Sequence, residues 1–153
     1  MKLSSLIVLS VLVQGMLHTQ DRPLAIRIDT SMSIVKATVG EFEAVYAQAG
    51  TFLPGDSISK AWYHSFRPAF ERQIDSAKFA WPDTTFIWVD LCCSSTGKIE
   101  HVLYVSRDLD HGAQGKKFQT ELESFARGYI FPLTANKKYS QCGTFRFPEK
   151  QHK

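Results

Sequence analysis

Apolar and polar positions change period several times along this chain, and each change marks an element. Leu24, Ile26 and Ile28 alternate with Ala25 and Arg27, the two-residue period of a short, half-buried strand. Ser31 and Ser33 stand where they can cap a helix, in which Val35, Val39, Phe42, Val45, Tyr46 and Ala49 recur at spacings of three and four. Gly40 weakens that helix, and the turn-rich run from Gly50 to Asp56 ends it. A second helical period covers residues 57–78, with Ile58, Trp62 and Phe66 on one face and Phe70, Ile74 and Ala77 continuing it. Pro68 fits the first turn of a helix and breaks an interior one, so a kink or two short helices are expected.

Past Trp81-Pro82-Asp83-Thr84, which favours extended chain, the period falls to two. Ile87, Val89, Leu91 and Cys93 alternate with Trp88, Asp90, Cys92 and Ser94, a strand with one cleanly apolar face. Ser94-Ser95-Thr96-Gly97 is a turn, and Ile99, Leu103 and Val105 mark a returning strand, so the two form a hairpin. A polar loop from Arg107 to Gly115 leads into an amphipathic helix through Phe118, Leu122, Phe125, Ala126 and Tyr129, stopped by Ile130-Phe131-Pro132. A last strand, Tyr139 to Phe147, carries Phe145 and Phe147 on one face and Cys142, Thr144 and Arg146 on the other. The expected class is α+β: N-terminal helices packed on a small antiparallel sheet, whose C-terminal half (residues 84–148) runs β-β-α-β.

The bulk properties narrow the class. A length of 153 residues fits one domain, and 44% hydrophobic with 22% charged residues fits a folded core rather than disorder. The net charge of +3 includes Lys2, and the basic pairs Lys116–Lys117 and Lys137–Lys138 form no continuous stripe, so no nucleic-acid partner is expected. At the N-terminus Lys2 precedes an apolar run from Leu3 to Val13, interrupted by Ser4, Ser5 and Ser10 and shorter than the ~20 residues that span a bilayer. Residues 1–19 therefore read as a signal peptide, cleaved between Gly15 and Gln20, and residues 20–153 as a single exported domain. The expected location is periplasmic or secreted, with no stable membrane insertion after cleavage.

The segment from about Phe86 to Pro148 resembles the C-terminal domain of TonB-like envelope proteins. The resemblance rests on a strand through Val89-Asp90, the turn glycine Gly97, a second strand closing on Val105-Ser106, the aromatic-x-Phe-Pro motif Tyr129-Ile130-Phe131-Pro132, and a closing strand. It implies a helix-layered β-β-α-β sheet whose edge strand accepts an extended segment of another envelope protein, that is, β-augmentation. Tyr139, Gln141, Thr144 and Arg146 are then the partner-binding edge residues. Energy-transducing members carry a membrane anchor and a proline-rich spacer that this sequence does not display, so coupling to an inner-membrane motor is not expected.

Three cysteines, Cys92, Cys93 and Cys142, leave one thiol over if a bridge forms. In the topology that the resemblance implies, the first hairpin strand lies beside the closing strand and brings Cys92 and Cys142 to one face. The expected bridge is then Cys92–Cys142 with Cys93 reduced and buried, and a one-residue slip would select Cys93 instead. Little else suggests chemistry. Asp108-Leu109-Asp110-His111 gathers two carboxylates and an imidazole, but a calcium-hand loop would need glycine at Ala113 and a carboxylate at Gln119. Cys92 or Cys93 with His101 lacks any nucleophile signature. His64 and the three tryptophans read as core or surface residues. No catalytic, cofactor or metal residue is assigned, and the expected function is a non-enzymatic exported binding module. The alternative is a small envelope enzyme, or metal-dependent hydrolase, using the Asp108–His111 loop.

Overall fold

The strongest alternation in the sequence becomes the central strand. In the computed structural model, which describes residues 24–28, 31–81 and 83–148, β3 (Thr85–Cys93) pairs antiparallel with β4 (Ile99–Ser106) on one side and β5 (Tyr139–Phe147) on the other. The expected signal peptide, its cleavage site and Pro82 lie outside the described residues. Two short strands, β1 (Ala25–Arg27) and β2 (Ala47–Gln48), run parallel to β4 and β5 at the margins, giving the order β1-β4-β3-β5-β2. The fold is α+β. Its antiparallel centre is the expected one, and the two N-terminal strands make the whole sheet mixed.

The hairpin turn has a local cause. Gly97 sits at φ +83°, where glycine carries no steric cost. A Cβ there would also lie 2.0 Å from the carbonyl oxygen of Phe131. The Phe131 amide in turn donates to the Gly97 carbonyl at 2.8 Å, so the Tyr129–Pro132 motif docks on the turn with the Phe131 ring fully buried.

One face of the sheet carries most of the helical mass. α2 (Gly55–Ser59), a π-helical segment (Lys60–Phe66) and α3 (Arg67–Ser76) follow without interruption. The stretch thus holds two short α-helices joined by a π-helical segment, one of the two outcomes expected from Pro68. Pro68 lies in the first turn of α3, and the widened register before it lets the Arg67 amide donate to Trp62, five residues back. Together with α4 (Ala113–Gly128), this layer forms an aromatic core in which Phe66 meets Trp62, Phe70, Phe125, Tyr129, Phe131 and Phe145.

The opposite face is covered by α1 (Met32–Glu43), which sets Phe42, with Tyr46 beyond its end, against Ile28, Cys92 and Leu103. The apolar period extended this helix to Ala49, but it stops at Glu43. The Tyr46 amide closes on Phe42, and the Ala47 amide then bonds the Lys138 carbonyl at 3.3 Å, so strand pairing displaces the helix and leaves Val45 exposed.

The closest approach between layers is at Gly143, where an added Cβ would stand 2.2 Å from the Trp62 indole. Gly143→Ala should cost about 1–3 kcal/mol in urea unfolding. Trp62→Leu in the same chain should cancel part of the penalty attributable to Gly143→Ala. A Gly143→Ala midpoint equal to wild type would mean that the contact does not constrain the fold.

Candidate functional site

Among the described residues, the sheet leaves the long outer edge of β5 largely without a strand partner. β5 is paired with β3 along its whole length in unbroken register, from Thr85↔Phe147 to Cys93↔Tyr139. On its other side β2 reaches only Tyr139 and Ser140. Because Ala47 bonds the Lys138 carbonyl across that edge, and strand groups alternate, Ser140, Cys142, Thr144 and Arg146 turn their main-chain N–H and C=O groups outward. From Cys142 onward those groups meet no strand among the described residues. The Gln141 side-chain amide donates to the Cys142 carbonyl at 2.9 Å and partly closes the near end.

The four expected edge residues divide by face. Tyr139 is fully buried, lies under β2, and donates its hydroxyl to the Leu133 carbonyl at 2.6 Å, so it is not an accessible part of the edge. Gln141 shares the helical face with Gly143, while Thr144 and Arg146 lie with Cys142 on the face that α1 covers only in part. On that second face Arg146 places its guanidinium 5.6 Å from the ring centre of Phe86, its partner across β3, and Phe86 is 52% exposed.

Two residues stand out here for a buried polar atom without a partner among the described residues: Asp90, which the sequence reading left unassigned, and Arg146, one of the expected edge residues. Asp90 faces Cys142 across the ladder, is 5% exposed, and has a buried Oδ1 without a hydrogen-bond partner. Burial, helped by the nearby Glu43, pushes its carboxyl up to about 7. Arg146 is the other case, with a buried and unbonded Nε. The sequence signal for Asp90 was its position between Trp88 and Cys92 on a face that a helix could cover. Phe86 carried none beyond being aromatic at a strand start.

The Cys92–Cys142 bridge is not formed, and all three thiols are free. The reason is register. Cys92 faces Ser140 and Cys142 faces Asp90, so the two cysteines are diagonal neighbours. Such Cβ atoms lie roughly 7 Å apart, against about 4 Å in a disulfide. Cys92 and Cys93 are buried, Cys142 is exposed, and burial raises all three thiols, Cys93 to about 12. Thiols held protonated in this way are weak nucleophiles.

The Asp108–His111 loop is tied into the scaffold. Asp108 accepts the Phe86 amide at 2.9 Å, and Asp110 accepts the amides of Gly112 at 2.9 Å and Gly115 at 3.3 Å, closing the start of α4. Arg27 donates to the carbonyls of Ser106, Leu109 and Asp110 and holds the loop against β1. A shallow depression of about 500 Å³ lies elsewhere, lined by Phe52, Leu53 and residues 134–137. At the far end of the sheet Glu100 accepts from Tyr46 and Lys138, both at 2.7 Å, which ties α1's exit to β4 and β5. No protein-family model, curated protein or solved structure matches this chain.

Asp90 gives the site a measurable pH dependence. Its carboxyl rises from 3.8 to about 7 on folding, so between those values the folded state binds more protons than the unfolded state. Its contribution is full below about pH 4 and is lost as pH rises to about 7. Asp90→Asn should therefore gain stability relative to wild type as pH goes from about 4 to 8, read as the difference between urea midpoints. A constant difference across that range would show that Asp90 ionises normally in the folded protein.

Proposed function

We propose that this chain is an exported, non-enzymatic binding module of the cell envelope, periplasmic or secreted, that takes an extended segment of a partner protein onto the outer edge of β5. The observation that carries this reading is the run of outward main-chain groups at Cys142, Thr144 and Arg146, which no strand of the described residues pairs. An extended peptide placed there gains main-chain hydrogen bonds on an already ordered strand. The order β3-β4-α4-β5 agrees with what the TonB-like resemblance implies. Export rests on the apolar run led by Lys2, and sequencing the N-terminus of envelope-derived protein tests it. The expected start lies between Gly15 and Gln20, and a mature pool retaining Met1 would end the export reading.

Thr144→Pro isolates the edge itself. The Thr144 amide points away from β3, so proline there removes a donor from the partner and none from the ladder, the position where a strand tolerates proline. Peptides selected by display on the wild-type mature domain should lose at least about tenfold in affinity for Thr144→Pro, while its melting temperature stays close to wild type. Phe145→Pro, which removes an inward donor, should unfold the sheet. Equal peptide affinity for wild type and Thr144→Pro would place binding elsewhere.

A further inference from the structure

The second face beside this edge carries a cation that has no counterion among the described residues. Arg146 makes no ion pair with any described residue, its Nε is buried and unbonded, and the Phe86 ring occupies one side of its guanidinium. A buried N–H left without an acceptor is costly, and a guanidinium matches a carboxylate in a two-point fork. The position of Arg146 joins this chemistry to the edge, because the same residue turns its main chain outward and its side chain onto the partly covered face. A strand added beside β5 sets a side chain directly next to Arg146.

We propose that the segment accepted by β5 carries a carboxylate side chain in register with Arg146, so that the edge selects acidic extended peptides. The proposal rests on the edge reading above and adds the chemistry of the partner. A second copy of this chain does not supply that group through the same strand. β5 reads Tyr-Ser-Gln-Cys-Gly-Thr-Phe-Arg-Phe and contains no carboxylate, so two β5 strands paired with each other leave Arg146 beside a thiol, a hydroxyl or another guanidinium.

The probe is a set of blocked nonapeptides of alternating threonine and valine, with Glu, Gln or Lys scanned through the central positions. Binding to the mature domain is followed by the amide shifts of Cys142, Thr144 and Arg146. In wild type the best Glu peptide should bind about tenfold tighter than its Gln counterpart, and the Lys peptide weakest. Arg146→Gln should bring the Glu-to-Gln ratio to about one while the Gln peptide binds as before. Arg146→Lys, which keeps the charge and loses the fork, should fall between the two. A wild-type ratio near one, with binding still lost in Thr144→Pro, overturns the acidic preference and leaves the edge reading standing. Binding that survives Thr144→Pro overturns the edge reading itself. A ratio unchanged in Arg146→Gln assigns the preference to another residue and overturns the proposal. So does concentration-dependent dimerisation that Thr144→Pro abolishes, which would make a second copy the occupant.

Discussion

The approach of Trp62 onto the backbone of Gly143 constrains much of the rest of this molecule. β5 carries no side chain at that point, so the indole lies against the strand itself, where any Cβ would overlap the ring. The indole then touches Phe66, Phe131 and Phe145, and Phe66 hands the contact on to Phe70, Phe125 and Tyr129. A core packed at crystal-like density does not yield at one ring alone, so the helical layer and β5 are fixed together. β2, on the same side of β5, spans only Ala47–Gln48. Between β2 and Trp62 the chain leaves the sheet margin. It does so through the 3-10 turn Ala49–Thr51 and the helix that opens after Pro54.

The other face completes the arrangement by being covered unevenly. α1 lies over Ile28, Leu103 and Cys92, which belong to the β1, β4 and β3 side of the sheet. The start of β3 is left open on this face, where Phe86 stands half-exposed beside Arg146 of β5. The two buried side-chain atoms without partners among the described residues, Asp90 Oδ1 and Arg146 Nε, both lie on this face. Burying a polar group without a partner is unfavourable, and Asp90 responds by holding its proton toward neutrality. Departures from polar satisfaction in natural proteins tend to fall at functional sites, and here one stands on the edge strand β5 and the other on its inner neighbour β3.

Alternation and turn chemistry made the antiparallel centre readable from the sequence. Val89 and Leu91 lie on the apolar face of β3, Gly97 marks its turn, and Phe145 and Phe147 mark the inward face of β5. What stayed hidden depends on contacts distant along the chain. The apolar positions from Val45 to Ala49 continue a helical period, and only the pairing with Lys138 and Tyr139 turns them into β2. The cysteines show the same limit more sharply. A period of two puts Cys92 and Cys142 on one face for every even shift of the ladder, so alternation cannot distinguish directly opposed positions from diagonal ones. The register that sets Cys142 against Asp90 decides this, and it also decides that Tyr139 is covered while Thr144 is not.

The energetics of strand addition explain why an edge of this kind needs side-chain selectivity. The outward groups open to a partner are the Cys142 amide and both main-chain groups of Thr144 and Arg146, since Gln141 already occupies the Cys142 carbonyl. Each hydrogen bond exchanged from water contributes about 1 kcal/mol net. Ordering a free peptide costs about 1–2 kcal/mol for every residue fixed, before the loss of overall translation and rotation. Main-chain pairing along so short a stretch therefore does not hold a flexible segment by itself. In the proposed complex the remainder would come from burying apolar side chains beside the exposed Phe86 ring and from satisfying the Arg146 charge next to it. On the proposed reading, this side-chain requirement would set a selective edge apart from a strand prone to aggregation.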